Sequence, residues 1–174
     1  MAIAAKLFAA ALGAAATRAA FAAARRAAAE GQMPGPDPAL WNRVNHRAEP
    51  VTLLEGPVYV AGTAAALAVV PGVPKALRAA AVGVTVAAGA FGVYDDLYGN
   101  GDRRGIRGHL GALAEGEMTT GGVKILGIGA AGLLAGAIVR RGPGDTAVDK
   151  LLAGVTIAAS ANAVNLFDLR PGRA

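Results

Sequence analysis

Cysteine is absent from this 174-residue chain, which excludes disulfides and thiolate chemistry and leaves no clue to redox compartment. Histidine occurs only at positions 46 and 109. His46 has no partner histidine nearby and reads as an exposed loop residue rather than a metal ligand. Aromatic residues make up 5% and charged residues 17% of the chain. The few acids leave a net charge of +5, yet the basic residues are scattered at the ends of apolar runs and do not cluster with aromatics. That arrangement argues against nucleic acid and for an anionic lipid surface or a phosphorylated substrate.

Apolar residues dominate, at 54% with a mean hydropathy of +0.44, outside the usual soluble balance. Much of this is Ala and Gly, which carry little transfer energy per residue but allow helices to approach closely within a bilayer. By length the chain is one domain. The expected fold is all-α, a polytopic membrane bundle with helices at 2–24, 57–73, 76–96, 123–139 and 150–168.

The first run is Ala-rich, with Lys6 and Arg18 inside it and Arg25-Arg26 behind it. Signal-peptide and transit-peptide readings fit some of the same features, but the length and the Arg pair favour a retained first helix. Pro34, Pro36, Pro38 and Pro50 then make residues 31–56 a polar loop, with Trp41 as an interfacial anchor and Arg43 and Arg47 as its cations. The second run is short, at the lower limit for spanning. A second polar loop, 97–122, carries Arg103, Arg104, Arg107, His109, Glu115 and Glu117. Placing the N-terminus outside puts ten basic residues on the cytoplasmic side and five opposite, the bias of the positive-inside rule. Arg43, Asp95 and Asp168 then share the cytoplasmic face.

Three patterns carry chemistry. Gly92-Val93-Tyr94-Asp95-Asp96 ends the third run with adjacent carboxylates, at the helix end where the macrodipole favours cations. A basic side chain, a divalent metal or a solvated membrane-surface stop would each resolve that conflict. Ser160, Asn162, Asn165 and Asp168 recur at near-helical spacing in the fifth run, as a polar site or as hydrogen-bond glue between helices. Gly127-Ile128-Gly129-Ala130-Ala131-Gly132, with Asp149 downstream, matches the dinucleotide fingerprint literally. The surrounding run is unbroken and apolar, so helix packing explains the glycines better than a soluble dinucleotide-binding protein does. Oxygen ligands of this kind suit magnesium together with substrate phosphates.

The acid pair resembles the Gly-x-x-Asp-Asp signature of the polyprenyl-phosphate N-acetylhexosamine-1-phosphate transferases, glycosyltransferase family 4. That family includes the phospho-MurNAc-pentapeptide and GlcNAc-1-phosphate transferases. Asn162-Ala163-Val164-Asn165-Leu166-Phe167-Asp168 is similar to the family's Asn-x-x-Asn-x-x-Asp segment, and the Asn45–Pro57 loop is a looser counterpart of its first cytoplasmic loop. The resemblance implies transfer of a sugar-1-phosphate from a UDP-sugar to polyprenyl phosphate in the bacterial plasma membrane, with Mg2+ and release of UMP. It implies Asp95 and Asp96 as catalytic residues at the polyprenyl phosphate, and Asn165 and Asp96 at the metal. Asn162 and Asp168 would lie at the substrate, and Lys124, Arg43 and Arg47 would hold phosphate oxygens.

Two departures accompany the likeness. After Asp168 the chain reads Leu169-Arg170-Pro171-Gly172-Arg173, where the family commonly has a second acid. The five runs also correspond to the first half of a ten-helix transferase. The expectation is therefore half of an active site: a fragment of a longer protein, a half-protein with a partner supplying the missing half or forming a homodimer, or a non-catalytic protein for assembly or lipid-phosphate binding.

Overall fold

A computed structural model of the chain describes residues 3–35, 37–45, 47–99, 105–139 and 142–167. It is mostly helical: α1 (Ile3–Ala29), α2 (Glu55–Val69), α3 (Lys75–Tyr98), α4 (Gly105–Ala114), α5 (Thr120–Val139) and α6 (Ala147–Phe167). The only strands among the described residues are β1 (Asn42–Val44) and β2 (Pro50–Thr52), paired antiparallel with Arg43 opposite Val51. The chain divides into two compact units, Met1–Val73 and Pro74–Ala174.

In the first unit α1 continues past Arg25-Arg26 to Ala29, because arginine is a good helix former. It ends on Gly31 at φ +68, with the Gln32 amide bonded to the Ala27 carbonyl at 2.8 Å, the Schellman arrangement that left-handed glycine allows. α1 and α2 pack antiparallel through small residues. A methyl group added at Gly13 would lie 2.8 Å from the Ala66 Cβ, and one at Gly62 would strike the Thr17 side chain. The polar loop between them is more ordered than its prolines suggest. A 3-10 turn (Pro38–Trp41) leads into the β1–β2 hairpin, and Asn45 closes the hairpin turn by accepting from the backbone amides of Arg47 and Glu49. Trp41, expected as an exposed interfacial anchor, is instead buried in its own loop. It is 7% exposed, and its indole N–H donates to the Pro34 carbonyl at 2.8 Å.

In the second unit α5 lies between α3 and α6 and runs antiparallel to both. Phe91 of α3 covers Gly127, while Gly132 and Gly136 receive the backbone of α6 at Gly154 and Ala158. Residues 123–126, which would be the strand of a dinucleotide-binding unit, are part of the continuous helix α5. That removes the strand–turn–helix context the fingerprint requires. The loop expected at 97–122 contains a helix, α4, which also ends in a Schellman turn, on Gly116 at φ +79.

α1, α3 and α5 are long and apolar enough to cross a membrane. α2, with 15 residues, rises only about 22 Å against a hydrocarbon core of about 30 Å. α6 has the length, but Asp149, Lys150, Thr156, Ser160, Asn162 and Asn165 lower its hydropathy. Among the described residues no polar side chain is buried, while large apolar ones such as Leu134, 69% exposed, face outward. A soluble monomer rarely exposes apolar surface on that scale, so the surface favours association with lipid.

Candidate functional site

The acid pair falls in the last turns of α3, where exposed peptide carbonyls disfavour a negative charge. Lys124, in the second turn of α5, has the converse problem near a helix N-terminus. The antiparallel pairing of α3 and α5 resolves both. The Lys124 ammonium lies 3.3 Å from Asp95 Oδ2, and the Thr120 hydroxyl donates to Asp95 Oδ1 at 2.9 Å. Each charge thus stands against the end of the neighbouring helix that suits it. The side chains are 16% exposed for Lys124 and 28% for Asp95, so the pair is only partly open to solvent. Asp95 also contributes its backbone carbonyl, which accepts from the Gly99 amide at 2.7 Å and finishes the helix.

Asp96, the next residue of α3, is exposed. Tyr94 and Tyr98, one helical turn apart, meet with ring centroids 5.5 Å apart and planes tilted by 44° at the same end of α3.

The start of α5 is fastened from a second direction. Thr119 caps it, its hydroxyl accepting from the Gly122 amide at 3.0 Å. His109 of α4 meets the same hydroxyl through Nδ1 at 2.9 Å, and its ring packs directly over Gly121. Adjacent threonines therefore serve different partners: Thr119 the cap and His109, Thr120 the carboxylate of Asp95. Neither threonine was identified from the sequence. A hydroxyl residue immediately before an apolar helical run is the N-terminal signal that marks Thr119.

α6 approaches from the other side of α5. Gly154 faces Gly136 and Ala158 faces Gly132, so one further turn brings position 162 to the level of Ile128, and position 165 follows at the level of Ile125, next to Lys124. The Asn162 amide donates to the Ala158 carbonyl at 3.0 Å, and Ser160 and Thr156 bond back in the same way to Thr156 and Leu152. Asn165 is placed by its helix alone, and Asp168 and His46 lie outside the described residues. Arg43 and Arg47 belong to the first unit. The Arg43 guanidinium donates to the Leu40 and Asn42 carbonyls at 2.9 Å each, and Arg47 is exposed in the hairpin turn.

The described residues contain no cluster of three or more His, Cys, Asp or Glu suited to a metal ion. Adjacent carboxylates do fit magnesium as it is commonly held, by one or two carboxylates with water and substrate phosphate completing the shell. The chain matches no protein-family model, no curated protein sequence and no solved structure.

Proposed function

We propose that the chain is a phosphotransferase-like protein of the bacterial plasma membrane, moving a sugar-1-phosphate from a UDP-sugar to polyprenyl phosphate. The observation that carries this reading is the contact of Lys124 with Asp95. These two residues are 29 positions apart, and the resemblance assigns both to the same phosphate site. In this reading all five long apolar runs enter the membrane, with the N-terminus outside and the Asp95 end cytoplasmic.

The chemistry asks for positioning and charge neutralisation more than for covalent participation. A phosphate oxygen of the polyprenyl phosphate attacks the β-phosphorus of the UDP-sugar. The bond from that phosphorus to the bridging oxygen breaks, and UMP leaves with the bridging oxygen. Lys124 presents a cation to a phosphate oxygen, as a point charge on a flexible stem. Asp95, itself held by the Thr120 hydroxyl, holds that cation at the mouth of the α3–α5 pair. Asp96, the exposed acid, accepts the proton of a monoprotonated polyprenyl phosphate or orients its oxygens. Asp96 and Asn165 would hold magnesium, which when bound offsets the charge of the diphosphate. Asn162 extends the substrate side along α6, and the resemblance adds Asp168, which follows that helix in sequence.

The test is UMP release by the full chain in membranes supplied with UDP-sugar, polyprenyl phosphate and magnesium, alone and with Asp95→Asn or Asp96→Asn. Each substitution lowers the rate by about 100-fold or more, the scale seen when a charge-stabilising group is removed. An unchanged rate in both variants overturns the catalytic assignment. Binding of polyprenyl phosphate by a chain that releases no UMP supports a lipid-phosphate-binding role instead.

A further inference from the structure

α4 is a ten-residue helix whose two sides have different surroundings. Ala112 is fully buried, and His109 is tied to Thr119 and Gly121 at the start of α5. Leu110 and Leu113 lie on another face, 57% and 43% exposed, followed by exposed Met118. Positions 110 and 113 share one stripe by helical spacing. Arg107 is exposed next to it, and Arg103 and Arg104 precede the helix in sequence.

The occupant of this apolar face follows from its continuity with α5. Leu110, Leu113 and Met118 line the same cleft as Ile125 and Leu126, and Leu126 is an exposed side chain in the second turn of α5. α5 is one of the helices long and apolar enough to cross a bilayer, and only residues 115–119 separate it from α4. The leucine stripe is therefore an extension of the outward surface of a spanning helix, at the end where that helix leaves the hydrocarbon. Ten residues rise only about 15 Å, too short to cross, and a short helix with one apolar face and neighbouring cations suits the boundary between headgroups and acyl chains.

We propose that α4 lies in the plane of the membrane surface, with Leu110 and Leu113 in lipid and Arg107 among anionic headgroups. His109, on the neighbouring face, fixes its rotation through its hold on the start of α5. The inference rests on the membrane reading and is independent of the transferase reading.

The absence of native cysteine makes the test direct. Leu110→Cys, Leu113→Cys, Arg107→Cys and Leu134→Cys, each in the full chain, carry a nitroxide in vesicles of phosphatidylcholine and phosphatidylglycerol. Collision with oxygen reports lipid, and collision with a water-soluble nickel chelate reports water. Labels at 110 and 113 favour oxygen, as at 134, while the label at 107 favours nickel. Labels at 110 and 113 that favour nickel overturn the proposal, as do labels shielded from both reagents, which place protein on that face. If the label at 134 itself favours nickel, the membrane reading fails and the proposal falls with it. The label at 134 thus tells the two failures apart.

Discussion

Lys124 and Asp95 exchange helix environments. The lysine near the positive end of α5 stands against the negative end of α3, and the aspartate at that negative end stands against α5. Both charges are unfavourable within their own helices and favourable across the interface. The ion pair therefore fixes the axial register of α3 and α5, in addition to any chemistry it performs.

A double-mutant cycle measures this coupling. Lys124→Met or Asp95→Asn alone lowers resistance to unfolding in mixed micelles by about 1–3 kcal/mol, because each leaves a partly desolvated partner. The double variant costs less than the sum of the two, with a coupling of about 0.5–3 kcal/mol. Strict additivity would mean that the pair contributes nothing to the register.

The glycines of α5 separate by what stands over them. A Cβ at Gly129 meets nothing within 4 Å, whereas one at Gly136 would enter the backbone of α6 at Gly154. Gly129→Ala is expected to be neutral or to gain up to about 1 kcal/mol from helix propensity. Gly136→Ala destabilises by about 1–3 kcal/mol through overpacking. Comparable effects at the two positions would contradict the α5–α6 packing.

Trp41 is the single tryptophan, so fluorescence of the intact chain reports its surroundings without labelling. Burial in its own loop shields it from lipid. Brominated or doxyl lipids should quench its emission little, and Pro34→Gly, which frees the loop around its carbonyl acceptor, should raise quenching by aqueous acrylamide. Strong quenching by lipid would restore the role of interfacial anchor.

Asn162 is satisfied within α6 by the Ala158 carbonyl. Asn162→Leu should therefore shift unfolding by less than about 1 kcal/mol, in line with the small worth of most polar contacts inside membrane proteins. Under the proposed function it nevertheless lowers UMP release at least tenfold. A large loss of stability would identify the residue as packing glue.

The long helices were legible because composition and charge marked them: unbroken apolar runs between Pro, Gly and Arg clusters. The sequence also carried the conflict at Asp95, and the family resemblance drew notice to Lys124. What it did not carry was their mutual contact, which depends on the axial offset of α3 against α5. α4 was hidden because Gly105, Gly108 and Gly111 oppose helix formation on propensity, and contact with α5 overrides that preference. The β1–β2 hairpin was hidden because its strands are three residues each, shorter than an alternation pattern can reveal. Trp41 was misread because an amphipathic aromatic beside a membrane run suits a headgroup boundary as well as a hydrogen-bonded loop core. Helix α1 outlasts its apolar stretch, since an arginine pair halts a span without halting a helix.

The position of α5 between two neighbours has a consequence for biogenesis. Its glycine recesses on the α6 side are made during translation before α6 has left the ribosome. A nascent chain carrying α3 and α5 must wait with Gly132 and Gly136 uncovered. Arrest of synthesis between α5 and α6 would therefore leave an intermediate with a groove already shaped for the helix that follows.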